Sequence, residues 1–327
     1  MKIDSFNIKK LYGKWTLKGS LHSDVNIISG INGSFKSTLL RILRDQLQGN
    51  KDKAAQYEQA EINFTDNVRL YYRHFEDSLL SLKRAQKDEL LEELASQIQT
   101  DLNDANEKVL SERILKADIT AYKKDGKKLS IKDFKQAMHV DYISTFDRAH
   151  IDPNNVKDDL DEQLEKLEKD YAYYLSDLAQ KAKSLFEGNE TQNVVEEFGK
   201  IYSSNNTFLD IIDQCFADTQ KKINRQRSEL KFIFGDGWLT TKQLSSGEKQ
   251  LLIVLLTVLL EREHEYILLM DEPEISMHYS WQGGLINYIQ RLNPNCQIIM
   301  TSHSPGVIME GWENYTYGMN DFTQEAK

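Results

Sequence analysis

The residues best equipped for chemistry lie in Gly30-Ile31-Asn32-Gly33-Ser34-Phe35-Lys36-Ser37-Thr38. A glycine-bearing turn that opens a helix aims its backbone N–H groups at one anion, and the helix N-terminus favours negative charge there. Asn32, Gly33, Ser34, Phe35 and Thr38 form this cradle. Lys36 supplies a point charge for the outer phosphates and Ser37 a hydroxyl for Mg²⁺. Phe35 breaks the pattern, which asks for glycine before the lysine. If that position needs φ > 0, a bulky side chain there costs about 1–3 kcal/mol.

A second group follows the apolar run Tyr266 to Met270, which enters Asp271-Glu272-Pro273-Glu274. Two carboxylates at the exit of a buried strand divide by role: Asp271 holds the Mg²⁺ shared with Ser37, and Glu272 polarises an attacking water as general base. A third run, Gln297 to Thr301, leads into Ser302-His303-Ser304-Pro305, so that His303 can reach a γ-phosphate on the same sheet edge. In Leu244-Ser245-Ser246-Gly247-Glu248-Lys249-Gln250, Ser245, Ser246 and Gly247 open an apolar helix and offer a further anion site.

These groups need strands and helices to place them. Strands are expected at 3–8, 15–17 and 25–29, and a helix at about 37–48 ended by Gly49. Hairpins are expected across Thr65-Asp66-Asn67, Lys124-Asp125-Gly126 and Gly235-Asp236-Gly237. The leucine-bearing, charged stretch from Phe75 to about Ala117 predicts a helical segment, and 140–147 a buried strand. Leu160, Leu164, Leu167, Tyr171, Tyr174, Leu178, Ala182 and Leu185 recur at steps of four and three, as in a short helical seam within a helical block at 156–228.

Composition narrows the rest. The chain has 327 residues, of which 40% are hydrophobic and 28% charged, enough for a core of one large domain or two smaller ones. Cys215 and Cys296 make neither a metal spacing nor a disulfide framework. The start carries no signal-peptide pattern, and the longest apolar run, Leu251 to Leu260, falls far short of the ~20 residues that span a bilayer. A soluble cytoplasmic protein with no membrane contact is expected. The net charge of −10 does not advertise nucleic-acid binding, and the basic stretch from Lys221 to Lys231 is read as a solvated face.

Together the motifs resemble the ABC-type ATPase superfamily: GINGSFKST resembles its Walker A, LSSGEKQ its signature motif, ILLMDEPE its Walker B with the catalytic Glu, and TSHSP its switch histidine. The Asp-Glu-Pro-Glu and Thr-Ser-His-Ser-Pro forms resemble the SMC/RecF/OLD branch, stand-alone ATPases found in antiviral defence and DNA repair. The resemblance implies an α/β P-loop NTPase with an ABC-type head, in which a mixed sheet with antiparallel N-terminal strands is flanked by helices and carries helical insertions. Residues 1–150 would form the N-terminal lobe with an insertion at 75–117, 151–228 a helical arm, and 229–327 the C-terminal lobe. It implies ATP and Mg²⁺ as ligands, and a homodimer or higher homo-oligomer in which Ser245, Ser246 and Gly247 act in trans on the partner's ATP. It further implies an effector such as a nuclease, with nucleic acid reached through that partner. The Gln-loop of the family has no obvious Gln here; Thr145 or Asp147 would replace it. The expected function is an ATP-hydrolysing switch of a defence complex. The alternatives are a slow or non-hydrolysing ATP-binding scaffold that keeps an effector silent, and a DNA-maintenance ATPase.

Overall fold

The computed structural model describes residues 1–50, 56–73, 118–123, 128–144, 159–187, 194–226 and 229–326. The helical segment expected at 75–117, the Lys124-Asp125-Gly126 turn, Thr145 and Asp147 lie outside the described residues. The chain folds into two compact units, neither continuous in sequence: one takes Met1–Lys2, His22–Arg44 and His139–Met319, the other Ile3–Leu21, Asp45–Met138 and Asn320–Lys327. These divisions follow contacts and cut the chain elsewhere than at 150 and 228.

The second unit is built on an antiparallel sheet. Its strands are β1 (Ile3–Leu11), β2 (Trp15–Ser20), β4 (Gln59–Phe64), β5 (Val68–Arg73), β6 (Asp118–Lys123), β7 (Lys128–Leu129) and β15 (Thr323–Glu325). Among the described residues their order is β15-β2-β1-β4-β5-β6-β7. Alternation along β4, half-buried then buried, gives one face to the core, where Ile62 and Phe64 lie. Phe64 meets Phe134 of α2 (Ile131–Ala137), and Phe6 meets Phe322 edge-on.

The first unit carries the chemistry. Its parallel sheet, among the described residues, has the order β14-β3-β13-β12-β8. These strands are β3 (Val25–Ser29), β8 (Val140–Ser144), β12 (Tyr266–Asp271), β13 (Cys296–Thr301) and β14 (Thr316–Gly318). Every residue of β12 and β13 is buried, the polar Asp271, Gln297 and Thr301 included, as in strands covered on both faces. The register puts Asp271 beside Thr301 and Ser144, and Thr301 beside Ile28. The C-terminal ends of four strands therefore share one edge, where the loops that follow can converge on a ligand.

Helices cover this sheet: α1 (Lys36–Leu47), α3 (Asp159–Glu187), α4 (Val194–Phe216), α5 (Ser246–Leu260), α6 (Tyr279–Leu292) and the single turn α7 (Pro305–Ile308). The boundary between units falls within α1. The predicted seam is buried at Leu164, Tyr171, Tyr174, Leu178 and Ala182, and most of it joins the core cluster that holds α5. Lys249 of α5 pairs with Asp161 of α3 at 2.8 Å, and Arg262 lies over the Tyr174 ring. β9 (Lys222–Ile223), β10 (Lys231–Phe234) and β11 (Gly237–Thr240) form a small antiparallel sheet holding the expected third hairpin. Three bases of the basic stretch make ion pairs: Lys221 with Glu248, Arg225 with Asp210 and Asp213, and Lys231 with Glu229. No helix among the described residues is long and apolar enough to cross a membrane.

Candidate functional site

The turn between β3 and α1 takes positive φ at Gly30 (154°), Gly33 (81°) and Phe35 (74°). At Gly30 a side chain is excluded twice over, because a Cβ would stand 2.9 Å from the Ser34 hydroxyl and 3.1 Å from Met319 Cβ. Phe35 meets no such relief. It holds a left-handed backbone with a full side chain, and its carbonyl accepts the first helical bond from Leu39 N–H at 2.8 Å. The Lys36 ammonium is folded under the turn, donating to the carbonyls of Gly30 (2.8 Å) and Ile31 (3.2 Å). Burial lowers the Lys36 pKa, against the charges of Glu272 and Asp271, which support the ammonium.

Asp271 gathers the two loops beside it. Its Oδ1 accepts from the Ser37 hydroxyl at 3.0 Å and from the Thr301 hydroxyl at 2.6 Å. Glu272 follows with φ 48°, a strained conformation fixed by its N–H, which donates to the Thr301 carbonyl (3.2 Å) and hydroxyl (3.0 Å). That geometry turns the Glu272 carboxylate out of the strand, and its Oε1 lies 3.4 Å from His303 Nε2. Ser37, Asp271, Glu272 and His303 are thus brought together, with Lys36 beside the two carboxylates.

Ser245, Ser246 and Gly247 sit at the start of α5, outside the group formed by Ser37, Asp271, Glu272 and His303. Ser245 is the N-cap and forms a capping box with Glu248. The two serines are exposed and Gly247 is buried. A Cβ on Gly247 would lie 2.2 Å from the Ser276 carbonyl oxygen, so close backbone packing within this chain already demands glycine. Glu248, 1% exposed in its side chain, also takes Lys221 at 2.6 Å and the Thr219 hydroxyl at 3.1 Å. Burial alone would raise its pKa; Lys221 and the Ser245 donors override it and hold the carboxyl below the usual range.

A family profile described as "AAA domain, putative AbiEii toxin, Type IV TA system" (AAA_21) matches residues 25–310. The chain belongs to the AAA_21 family. Among curated relatives it is 29% identical over 135 residues to "Retron Ec83 probable ATPase" of Escherichia coli, covering 36% of this chain and 25% of that one. It is 27% identical over 146 residues to "Retron Vc95 probable ATPase" of Vibrio cholerae, covering 41% and 27%. The chain thus spans only about a quarter of the length of these relatives. The SMC head domain of Thermotoga maritima matches in three dimensions with a TM-score of 0.51 at 13% identity, over 97% of this chain and 94% of that one. The shared fold is an ABC-type P-loop head, with antiparallel and parallel sheets flanked by helices.

In this AAA_21 chain the residues fit Mg²⁺ and phosphate. Ser37 and Asp271 offer a hydroxyl and a carboxylate oxygen side by side, a hard donor pair that suits Mg²⁺ completed by phosphate and water. The Ser34 hydroxyl is buried in the turn without a hydrogen-bond partner among the described residues, a polar atom left to be satisfied. Two residues with a part in this geometry were missed by sequence reasoning. Thr301 had no signal of its own; only the β12–β13 register sets it against Asp271. Glu274 stood in the motif without a role.

Proposed function

We propose that this chain binds ATP with Mg²⁺ and hydrolyses it, serving as the switch of an antiviral defence complex. The observation that carries the reading is the row Ser37–Asp271–Thr301, closed by hydrogen bonds of 3.0 and 2.6 Å, with Glu272 and His303 paired beside it. Asn32, Gly33, Ser34, Phe35, Lys36 and Thr38 would cradle the phosphates, Lys36 adding its charge at the β- and γ-positions. Ser37 and Asp271 would hold Mg²⁺, which when bound neutralises charge on the phosphate oxygens. Glu272 would orient and deprotonate the attacking water, and His303 would donate to the γ-phosphate. The exposed pair Ser245–Ser246 at a capped helix N-terminus suits a second anion contact made in trans, across a homodimer. The retron ATPases named above support the defence setting, and an effector such as a nuclease is the partner that such a switch would govern.

The test is ATP turnover with the matched carboxylate variant. Glu272→Gln should lower kcat by about 10²- to 10⁴-fold, the usual worth of a general base, while ATP is still bound. A wild-type chain that turns over no ATP, alone or with partner and DNA, removes the hydrolytic reading. The strained Phe35 favours a second reading, in which bound ATP is a structural ligand that keeps an effector assembled and silent. Under that reading Lys36→Ala dissolves the complex, and an unchanged complex excludes it.

A further inference from the structure

Glu274 lies in the loop that leaves β12 and is only 4% exposed. Its Oε1 accepts from the Ser302 hydroxyl and from the His303 N–H at 3.2 Å, while Oε2 is buried with no hydrogen-bond partner among the described residues. The Glu274 carbonyl accepts from Met277 N–H at 2.9 Å and from Gln282 Nε2 at 3.3 Å. Gln282 Oε1 in turn accepts from the Ser304 hydroxyl at 2.6 Å. The loop after β13 is therefore held on both sides of His303, by Glu274 in front and by Gln282 behind.

His303 needs such support, because its ring is exposed (39% of the side chain) and its one polar contact among the described residues is Glu272 Oε1. With that single polar contact on the ring, the main chain that carries it has a large share in setting its position. The main-chain N–H of His303 is held by Glu274. A buried carboxyl with one oxygen unsatisfied is a costly way to fasten a loop, and such groups are retained where they have work to do. Burial raises the Glu274 pKa, opposed by the Ser302 hydroxyl and reinforced by the charge of Glu272.

We propose that Glu274 is a positioning residue for the hydrolytic site: its carboxyl fixes the main chain of His303 so that the imidazole stands against Glu272. The inference rests on the roles given above to Glu272 and His303. Glu274→Gln keeps the Oε1 acceptor and places an amide where Oε2 stands; Glu274→Ala removes the acceptor, and Glu274→Met removes it while filling the space. The experiment measures kcat and KM for ATP, binding of a fluorescent ATP analogue, and the His303 Cε1–H NMR resonance, assigned with His303→Gln.

The Ala and Met variants should lose about tenfold or more in kcat, as a misplaced group does, with KM within about twofold of wild type. Their His303 resonance should shift or broaden, while Glu274→Gln keeps both the wild-type resonance and at least about half the wild-type kcat. Wild-type kcat and an unmoved resonance in Glu274→Met would overturn the proposal. So would equal loss of kcat and of nucleotide binding in all three variants, which marks a structural residue only. If the wild-type chain turns over no ATP, the hydrolytic reading fails by itself, and the His303 resonance still decides whether Glu274 places that ring.

Discussion

Replacing Phe35 isolates the backbone term at the phosphate-binding turn. Phe35→Ala and Phe35→Gly remove the same ring, so loss of its packing cancels between them. What remains is a Cβ at φ 74°. Left-handed backbone costs an L residue about 1–2 kcal/mol, whereas glycine's extra chain entropy costs about 0.5–1 kcal/mol. The glycine variant should therefore be the more stable by roughly 0.5–1 kcal/mol, the reverse of the usual order at ordinary backbone positions. At a urea m-value of about 3 kcal/mol/M this shifts the midpoint by about 0.2–0.3 M. Urea unfolding of both variants followed by circular dichroism, with m held in common, makes the comparison. An alanine variant with the higher midpoint would refute the argument that this turn is strained.

Three further outcomes follow from contacts already described. Gly247→Ala puts a methyl 2.2 Å from the Ser276 carbonyl and should lower the unfolding free energy by about 1–3 kcal/mol; a change under about 0.5 kcal/mol in a urea titration contradicts the close packing. Lys221→Met leaves Glu248 buried without its cation and should cost about 3–5 kcal/mol at pH 7. Because Glu248 is held below the ordinary carboxyl range, this stabilisation is present above pH 4.5 and fades as pH falls through the lower folded value, so wild type and variant should converge in acid. Asp141 is raised from 3.8 to about 6 by burial and by Glu261, opposed by Lys166 and His139. A raised folded value contributes fully below pH 3.8 and is lost as pH climbs through 6. Asp141→Asn should therefore be the more stable by up to about 3 kcal/mol at pH 7.5 and match wild type near pH 4, as read by unfolding titrations.

The sequence revealed what depends on continuous local pattern. The runs 266–270 and 297–301 could be read as buried strands because five consecutive apolar residues in the first, and Ile298-Ile299-Met300 at the centre of the second, leave no solvent face, and they became β12 and β13. The 3- and 4-residue steps from Leu160 predicted the buried face of α3. The helix α6 went unread: Gly283 and Gly284 interrupt its pattern, and its N-cap is the His278 ring, which accepts from Ser280 N–H in place of a usual Ser or Asp. β14 and β15 are three residues each and owe their existence to β3 and β2. At the site, the charged residues announced themselves and their supports did not. Thr301, Ser302 and Glu274 act through partners about 30 residues away, a distance at which no periodicity speaks.

The two lysine–carboxylate pairs that anchor α5 have a mechanical meaning. Lys249 reaches Asp161 on α3, and Glu248 reaches Lys221 just past α4, with side-chain exposures of 8% and 23% in the first pair and 1% and 15% in the second. The first turn of the helix that presents Ser245 is therefore tied at once to α3 and to the segment that follows α4. Since one member of each pair is buried and the other only partly exposed, salt that loosens surface pairs weakens these two less.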